Sequence, residues 1–281
     1  MTIKLDKTAP SITGAILSGT KGSNGWFISP VTVHFTCSDA LSGLAVCPDD
    51  VTLTANGANQ SLTRTATDIA GNVGSATVSG ISIDNENPTI TAVNVAGGFY
   101  ALGAAPAATC TASDSFSGVA ACNVTVTGGK ANGVGTFTYT ATATDKASNS
   151  ATQTGTYQVV YRFDGFLQPI NDTAHQIGTS ISVFKAGSTI PVKFQLRKAD
   201  GTIVQATTAP VWLTPVKGSS MSLAVDETAY TASGDSGSTY RYDATAQQYI
   251  YNWKTGTGGN YYRIGVTLDD GQTYYVNIGL R

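Results

Sequence analysis

The sequence predicts an all-β protein made of antiparallel β-sandwiches. Apolar residues alternate with polar ones over short runs, as in "VTVHFTC" (31–37) and "GTFTYTATATD" (135–145). Turn residues interrupt these runs at intervals of about eight to twelve positions, a spacing typical of β-sandwiches. No segment shows the apolar periodicity of a convincing amphipathic helix.

Recurring markers divide the first part of the chain into two copies of one repeat. An Asp followed by a Pro, a pair of cysteines, and the stretches "TATDIAGN" (65–72) and "TATDKASN" (142–149) return after about 78 residues. A period of this length suits a small domain that folds independently and is too long for a solenoid repeat. We therefore predict repeat 1 at 1–83, repeat 2 at 84–160 and a third domain at 161–281.

The third domain has strands of its own and no cysteine. Its apolar and aromatic runs lie at 188–197, 248–255, 261–268 and 273–281, with the turn signals "ADG" and "DDG" in the connections. It is predicted as a third antiparallel β-sandwich, different in kind from the two repeats.

The first residues of the chain resemble a junction between repeats. "IKLDKTAPSI" (3–12) has the same pattern as "ISIDNENPTI" (81–90), which joins repeat 1 to repeat 2. We therefore expect residues 3–5 to be the remnant of a preceding strand, and the chain to be a piece of a larger protein. The N-terminus lacks the basic start and apolar core of a signal peptide.

The composition excludes two classes of partner. Charged residues make up only 12% of the chain and the net charge is −2, so there is no basic field to attract nucleic acid or an anionic membrane. No apolar run is long enough to cross a bilayer, which argues against membrane insertion.

Four stretches of repeat 1 carry a resemblance to a known family: "DKTAP", "NGWFISPVTV", "CSDALSGLAVC" and "ATDIAGN". With them the repeats resemble the immunoglobulin-like repeats of large bacterial surface and secreted proteins. The resemblance implies tandem immunoglobulin-like β-sandwiches and an extracellular setting, and says little about a specific function.

The third domain contains, in order, the stretches "FDGFLQPI" (163–170), "KAGSTIPVKFQL" (185–196), "YIYNWKT" (249–255) and the ending "TLDDGQTYYVNIGL". With these stretches it resembles the bacterial family named for its Pro-x-Lys-Phe (PxKF) motif. The resemblance implies a C-terminal module of extracellular proteins with no defined biochemical role. One departure is "GGNYYRIGV" (258–266), where family members often have a cysteine.

The four cysteines are predicted to form one local disulfide in each repeat, Cys37 with Cys47 and Cys110 with Cys122. Their separations of nine and eleven intervening residues do not fit the short Cys spacing of zinc sites. The chain has only two histidines, His34 and His175, that could complete a zinc ligand set. A catalytic thiol repeated in both copies is equally unexpected. Disulfides persist outside the cytosol, so we predict an extracellular or cell-surface location.

Several aspartates of the repeats have two interpretations. Asp and Asn are favoured in turns because their side chains bond nearby backbone amides. The alternative is calcium, bound by carboxylates from adjacent loops at one end of a sandwich. No cofactor is otherwise predicted. The candidate calcium ligands are Asp39, Asp68, Asp114 and Asp145, joined by Asp6 or Asp84.

No catalytic constellation is recognised, so the chain is predicted not to be an enzyme. "GDSG" (234–237) and "DTAHQ" (172–176) echo trypsin-like proteases, but the third domain is too short for the two barrels of that fold. A crosslink between Lys193 and Asn277 is also considered. Alternation places both side chains away from the core, whereas such a crosslink requires a buried lysine.

One strand of the third domain suggests a ligand platform. Tyr249, Tyr251 and Trp253 alternate along the strand, so they share one face of the sheet. Exposed rings on such a face stack against sugars, whereas buried rings form the core.

The sequence therefore predicts a non-catalytic structural and adhesive region of a larger bacterial surface or secreted protein, acting as spacer and interaction module. The alternative is a carbohydrate-binding accessory module of a secreted hydrolase. The corresponding partners are a surface protein or a polysaccharide, together with other domains of the parent chain.

Overall fold

The computed structural model describes residues 5–170, 181–220 and 234–281. These residues form strands, turns and loops and contain no helix, which confirms the predicted all-β class. Accordingly, no helix in the described ranges is long and apolar enough to cross a membrane. The strands are β1 (Ser11–Ser18), β2 (Trp26–Phe27), β3 (Val31–Ser38), β4 (Leu44–Val46), β5 (Val51–Leu53), β6 (Gly57–Asp68), β7 (Val73–Ile83), β8 (Thr89–Val93), β9 (Phe99–Ala101), β10 (Cys110–Ser113), β11 (Val119–Gly128), β12 (Gly135–Asp145), β13 (Ser150–Val160), β14 (Phe166–Leu167), β15 (Val183–Phe184), β16 (Thr189–Phe194), β17 (Leu196–Arg197), β18 (Ile203–Val204), β19 (Val211–Ser220), β20 (Arg241–Asp243), β21 (Gln248–Lys254), β22 (Asn260–Thr267) and β23 (Thr273–Leu280).

The chain divides into two compact units. Repeat 1 belongs to unit 1 and the third domain to unit 2, whereas repeat 2 contributes to both. The predicted domain bounds of 1–83, 84–160 and 161–281 therefore stay a prediction. Unit 1 consists of Met1–Asn94, Ala108–Thr125 and Thr140–Thr154, and unit 2 of Val95–Ala107, Val126–Tyr139 and Gly155–Arg281.

Repeat 1 is a sandwich of two sheets, with strand orders β1-β3-β5 and β2-β7-β6-β4. Alternation along β3 directs Val31, Val33 and Phe35 inward, where they meet Ile81 and Ile83 of β7. Burying an aliphatic or aromatic side chain of this size contributes roughly 1.5–3 kcal/mol to folding. The apolar pattern of the sequence therefore accounts for the two-layer arrangement.

Repeat 2 has a two-stranded sheet, β10-β8, and a four-stranded sheet, β11-β12-β13-β9, whose long strands run through both units. Along β12 the buried apolar side chains are Tyr139, Ala141 and Ala143, and the residues at its two ends, Gly135 and Asp145, are buried as well. They alternate with less buried threonines, as the sequence pattern predicts.

The third domain packs the sheet β14-β16-β21-β20 with the sheet β15-β23-β22-β19, and β17 and β18 form a short hairpin beside them. Ile190, Val192 and Phe194 of β16 are fully buried, and so are three residues of β23. The predicted inward rows are thus confirmed. Lys193 and Asn277 alternate with these rows on strands of different sheets, as expected for side chains directed away from the core.

Among the described residues, each of the three domains has a parallel strand pair, which the sequence does not predict. In each, a short early strand pairs in parallel with the last strand: β2 with β7, β9 with β13, and β15 with β23. The side-chain period is two in parallel and antiparallel strands alike, so alternation does not distinguish them. The parallel pair gives the last strand a second neighbour and shortens its free edge.

Candidate functional site

Two clusters of carboxylates lie in unit 1, one in each repeat. The first triad is Asp6, Asp39 and Asp68, and the second triad is Asp84, Asp114 and Asp145. In each triad, one oxygen from every carboxylate lies within 4.8 Å of the others. Each triad joins the Asp at the start of its repeat, the Asp between the two cysteines, and the Asp before the last strand. The structure thus brings together all the predicted calcium ligands.

The last Asp of each triad is held by an Asn four residues later. Asp68 accepts hydrogen bonds from the backbone amide and from Nδ2 of Asn72, both at 2.8 Å. Asp145 accepts the same two bonds from Asn149, also at 2.8 Å. These bonds close the turn between the last two strands of each repeat. The interpretation of Asp and Asn as turn residues is therefore confirmed.

The middle Asp of each triad orders the loop between the cysteines. Asp39 Oδ1 accepts the amides of Leu41 and Gly43 at 3.1 and 2.7 Å. In repeat 2, Asp114 Oδ1 accepts the amide of Gly118 at 2.7 Å. Both glycines have a positive φ, 84° and 79°, which a side chain would strain.

The first Asp of each triad binds that loop to the start of the repeat. Asp6 accepts the amides of Thr8 at 2.9 Å and Ser42 at 3.0 Å. The amide of Thr8, followed by Ser42, holds the pKa of Asp6 below its usual value. Asp84 accepts the amide of Ser117 at 3.0 Å in the same way. Each triad therefore clamps three chain segments at one end of its sandwich.

The triads contain the oxygen ligands that calcium prefers. In the described part of the chain, Oδ2 of Asp39 and of Asp114 accepts no hydrogen bond from the protein. Hydrogen bonds from backbone amides nevertheless explain the clusters without an ion, because every aspartate of both triads accepts at least one of them. Calcium binding at Asp39, Asp68, Asp114 and Asp145 stays a prediction.

The predicted disulfides are present. Cys37 is bonded to Cys47 with a Cα–Cα distance of 5.9 Å, and Cys110 to Cys122 with 5.8 Å. Each closes the loop that contains the middle Asp of a triad. A disulfide closing a loop of this size contributes on the order of 2–3 kcal/mol by constraining the unfolded chain.

A turn of repeat 1 docks on the end of repeat 2, within unit 1. The backbone amide of Ser23 donates to the carbonyl of Ala147 at 3.0 Å, and Asn24 Nδ2 donates to the carbonyl of Lys146 at 2.8 Å. The hydroxyl of Ser148 donates to that of Ser23 at 2.5 Å. Close approach requires Gly22, since a Cβ there would lie 2.1 Å from the Ala147 carbonyl oxygen. Sequence reasoning missed this contact.

Of the two interpretations of the aromatic strand, the core is confirmed and the sugar platform is contradicted, because the rings are buried. Tyr249, Tyr251 and Trp253 are only 2%, 5% and 9% exposed and belong to the core of the third domain. Tyr251 stacks on Trp212 with ring centroids 4.3 Å apart. Its hydroxyl donates to the carbonyl of Gly237 at 2.8 Å. Alternation places the three rings on one face but does not determine that this face is the inner one.

The "GDSG" stretch has a structural role in the third domain. The carboxylate of Asp235 accepts the amide of Asn252 at 2.7 Å and pairs with Arg241. His175, the histidine of the other protease-like stretch, lies outside the described residues.

A buried polar cluster lies in unit 2, where repeat 2 meets the third domain. Asp270 Oδ2 accepts the amide of Tyr161 at 2.8 Å, and Oδ1 accepts that of Gln272 at 2.9 Å. Burial raises the pKa of Asp270, with the two amides opposing the shift and the charge of Asp269 adding to it. Asn132 donates to the hydroxyl of Tyr161 at 2.5 Å, so the cluster links three chain segments.

Comparison with known proteins gives weak structural similarities only. No family model matches the chain, and no curated protein matches it. Among solved structures, the Escherichia coli adhesin FdeC is 11% identical over 100% of both chains, with a TM-score of 0.25. Invasin, a bacterial integrin-binding protein, is 14% identical over 96% of this chain and 60% of that one, with a TM-score of 0.30. Protocadherin gammaB7 EC3-6 is 13% identical over 99% of this chain and 78% of that one, also at 0.30. TM-scores this low do not establish a common topology, so no functional conclusion follows from them.

Proposed function

We propose that this chain is a non-catalytic structural and adhesive region of an extracellular or cell-surface bacterial protein. Its repeats act as a spacer, and its domains present an interaction surface to a surface protein. The observation on which this proposal rests is the docking of the turn of repeat 1 on the end of repeat 2.

The docking contact restricts bending between the repeats. Two hydrogen bonds are made to backbone carbonyls, of Lys146 and Ala147, and a third joins the hydroxyls of Ser148 and Ser23. The junction itself is also held, because the amide of Asp84 donates to Phe27 at 2.8 Å and its carbonyl accepts from Asn149 at 3.0 Å. A short linker bonded on both sides has little conformational freedom. A restricted joint is what a spacer requires.

The disulfides support an extracellular location. Both close loops that position triad carboxylates, so oxidation stabilises the same end of each sandwich that the triad clamps. Such bonds persist in oxidising compartments.

The alternative, a carbohydrate-binding accessory module, loses its main support. It depended on Tyr249, Tyr251 and Trp253 as an exposed platform, and these rings fill the core. We therefore propose a protein rather than a polysaccharide partner.

The experiment uses the full chain immobilised on beads. It is incubated with a panel of extracellular proteins, and in parallel with insoluble and soluble glycans. We expect the beads to retain a protein from the panel, and its mass after release to equal its mass before binding. Retention by glycans alone, or a cleaved or otherwise altered partner, would contradict the proposal. Reduced chain serves as the matched control for contacts that depend on the disulfides.

A further inference from the structure

The end of repeat 1 that contains the first triad has an exposed apolar surface. We call it the cap surface; it surrounds an open concavity of about 610 Å³ lined by Leu5, Asp6, Leu41, Ser42, Ile69 and Ala70. Leu5, Leu41 and Ile69 are 73%, 67% and 70% exposed. Three large apolar side chains grouped at one end of a domain are typical of an interaction site.

The corresponding end of repeat 2 is partly covered: Ala147 is buried there, whereas Phe116 is 37% exposed and Lys146 is exposed. There the turn of repeat 1 bonds the carbonyls of Lys146 and Ala147, and Ala147 is fully buried, whereas its counterpart Ala70 is exposed. The repeat markers define the correspondence of the two ends: Leu5 with Ile83, Asp6 with Asp84, Leu41 with Phe116, Ser42 with Ser117, Ile69 with Lys146, and Ala70 with Ala147.

Two details indicate what would cover the cap surface. Ile83, the counterpart of Leu5, is fully buried in the core of repeat 1, so an equivalent core would bury Leu5. The hydroxyl of Ser42 is buried without a hydrogen-bond partner. Its counterpart Ser117 accepts the amide of Ala147 at 3.2 Å, and the carbonyl of Ala147 is held by Ser23. The serine hydroxyl thus has partners at the occupied end, Ala147 and Asp114, and none within hydrogen-bond distance among the described residues at the cap surface.

We propose that the cap surface is the docking site for a further immunoglobulin-like repeat. The incoming repeat supplies a turn equivalent to Gly22–Asn24, which bonds the backbone carbonyls of Ile69 and Ala70. Its core covers Leu5, and its turn lies against Ala70, as the natural turn lies against Ala147. Two of the three polar bonds of the natural contact are made to backbone carbonyls, and the third, from the Ser148 hydroxyl, has no equivalent at Gly71. Recognition therefore depends mainly on the shape of the end and on the glycine of the turn. The inference rests on the proposed spacer role.

The test is a full chain extended by one repeat, in which residues 1–83 are fused to residues 6–281. This fusion places Asp6 after Ile83, as Asp84 is in the natural junction. A cysteine replaces Ser23 in the added repeat and a second cysteine replaces Gly71 in the repeat that follows it. Gly71 corresponds to Ser148, and both have a positive φ, 90° and 82°. The matched control is Ser23→Cys with Ser148→Cys in the original chain.

We expect the crosslink to form in similar yield at both junctions, as mapped by mass spectrometry of the disulfide-linked peptides. Formation at the natural junction but not at the new one would overturn this inference and leave the spacer role intact. Failure at both junctions would overturn the spacer role itself.

A second readout does not require a disulfide. A cysteine in place of Ala70 in the original chain should react readily with maleimide. In the extended chain, the same cysteine in the repeat that follows the added one should react about tenfold or more slowly, because docking protects the site except during local opening. Equal labelling rates in the two chains would contradict docking.

Discussion

The hydroxyl of Ser148 donates a hydrogen bond to the hydroxyl of Ser23 at 2.5 Å, across 125 positions of the sequence. Ser148 adopts a positive φ of 82°, in a turn where repeat 1 has Gly71. A residue with a side chain in this region is strained by about 1 kcal/mol or more. Repeat 2 thus tolerates strain at the position where it contacts repeat 1.

Substitutions at Ser148 separate the hydrogen bond from the strain. Ser148→Ala removes the bond and keeps the strain, so we expect a loss of about 1 kcal/mol in the free energy of unfolding. Ser148→Gly removes both and should be close to neutral. Urea unfolding of the full chain measures the difference. An alanine variant as stable as the wild type would show that the bond contributes nothing.

The triads are predicted to stabilise their repeats through Asn149 and Asn72. Asn149→Ala removes bonds to Asp145 and Asp84 and leaves a buried carboxylate oxygen unsatisfied, which should cost about 1–3 kcal/mol. The matched control is Thr77→Ala, which removes an exposed bond to Thr63 and should cost less than about 0.5 kcal/mol. Similar losses in the two variants, measured by urea unfolding, would argue against the clamp.

The calcium hypothesis makes a separate prediction. If the triads bind calcium, millimolar calcium chloride raises the melting temperature, because an ion that binds only the folded state stabilises it. Asp39→Asn and Asp114→Asn together should abolish that rise while keeping the amide-accepting oxygen. Magnesium chloride at equal ionic strength is the control. An unchanged melting temperature would reject calcium and leave clamping as the role of the triads.

Asp270 is predicted to give the third domain a distinctive pH dependence. Its pKa is raised by burial, so the folded state binds this proton more tightly than the unfolded state does. The resulting stabilisation is fully present below the ordinary pKa of an aspartate and is lost as the pH rises through the raised pKa. The free energy of unfolding of the wild type minus that of Asp270→Asn should therefore increase as the pH is lowered. A difference that stays constant or decreases on acidification would contradict a raised pKa.

The sequence predicts those features that recur or that are local. The disulfides, the triads and the turns at Asn72 and Asn149 all follow from markers present twice in the chain. The position of Tyr251 does not follow, because alternation assigns residues to a face without telling which face is inner. The parallel strand pairs do not follow either, since their side-chain period is that of antiparallel strands. The contact of Ser23 with Ala147 uses a backbone carbonyl, so no side chain in repeat 2 signals it.

A restricted joint between the repeats is the central claim, and the distance between spin labels tests it most directly. One pair of labels, at Ser61→Cys and Ala120→Cys, lies on exposed positions of repeat 1 and repeat 2. A control pair within repeat 1, at Thr13→Cys and Ser61→Cys, gives the width of the distance distribution that is due to the labels alone. Pulsed electron paramagnetic resonance on the full chain should give one distribution between the repeats about as narrow as that of the control pair. It should broaden when Ser23→Ala and Asn24→Gly remove the side-chain bonds of the turn. A broad distribution in the otherwise unchanged chain would contradict the spacer account.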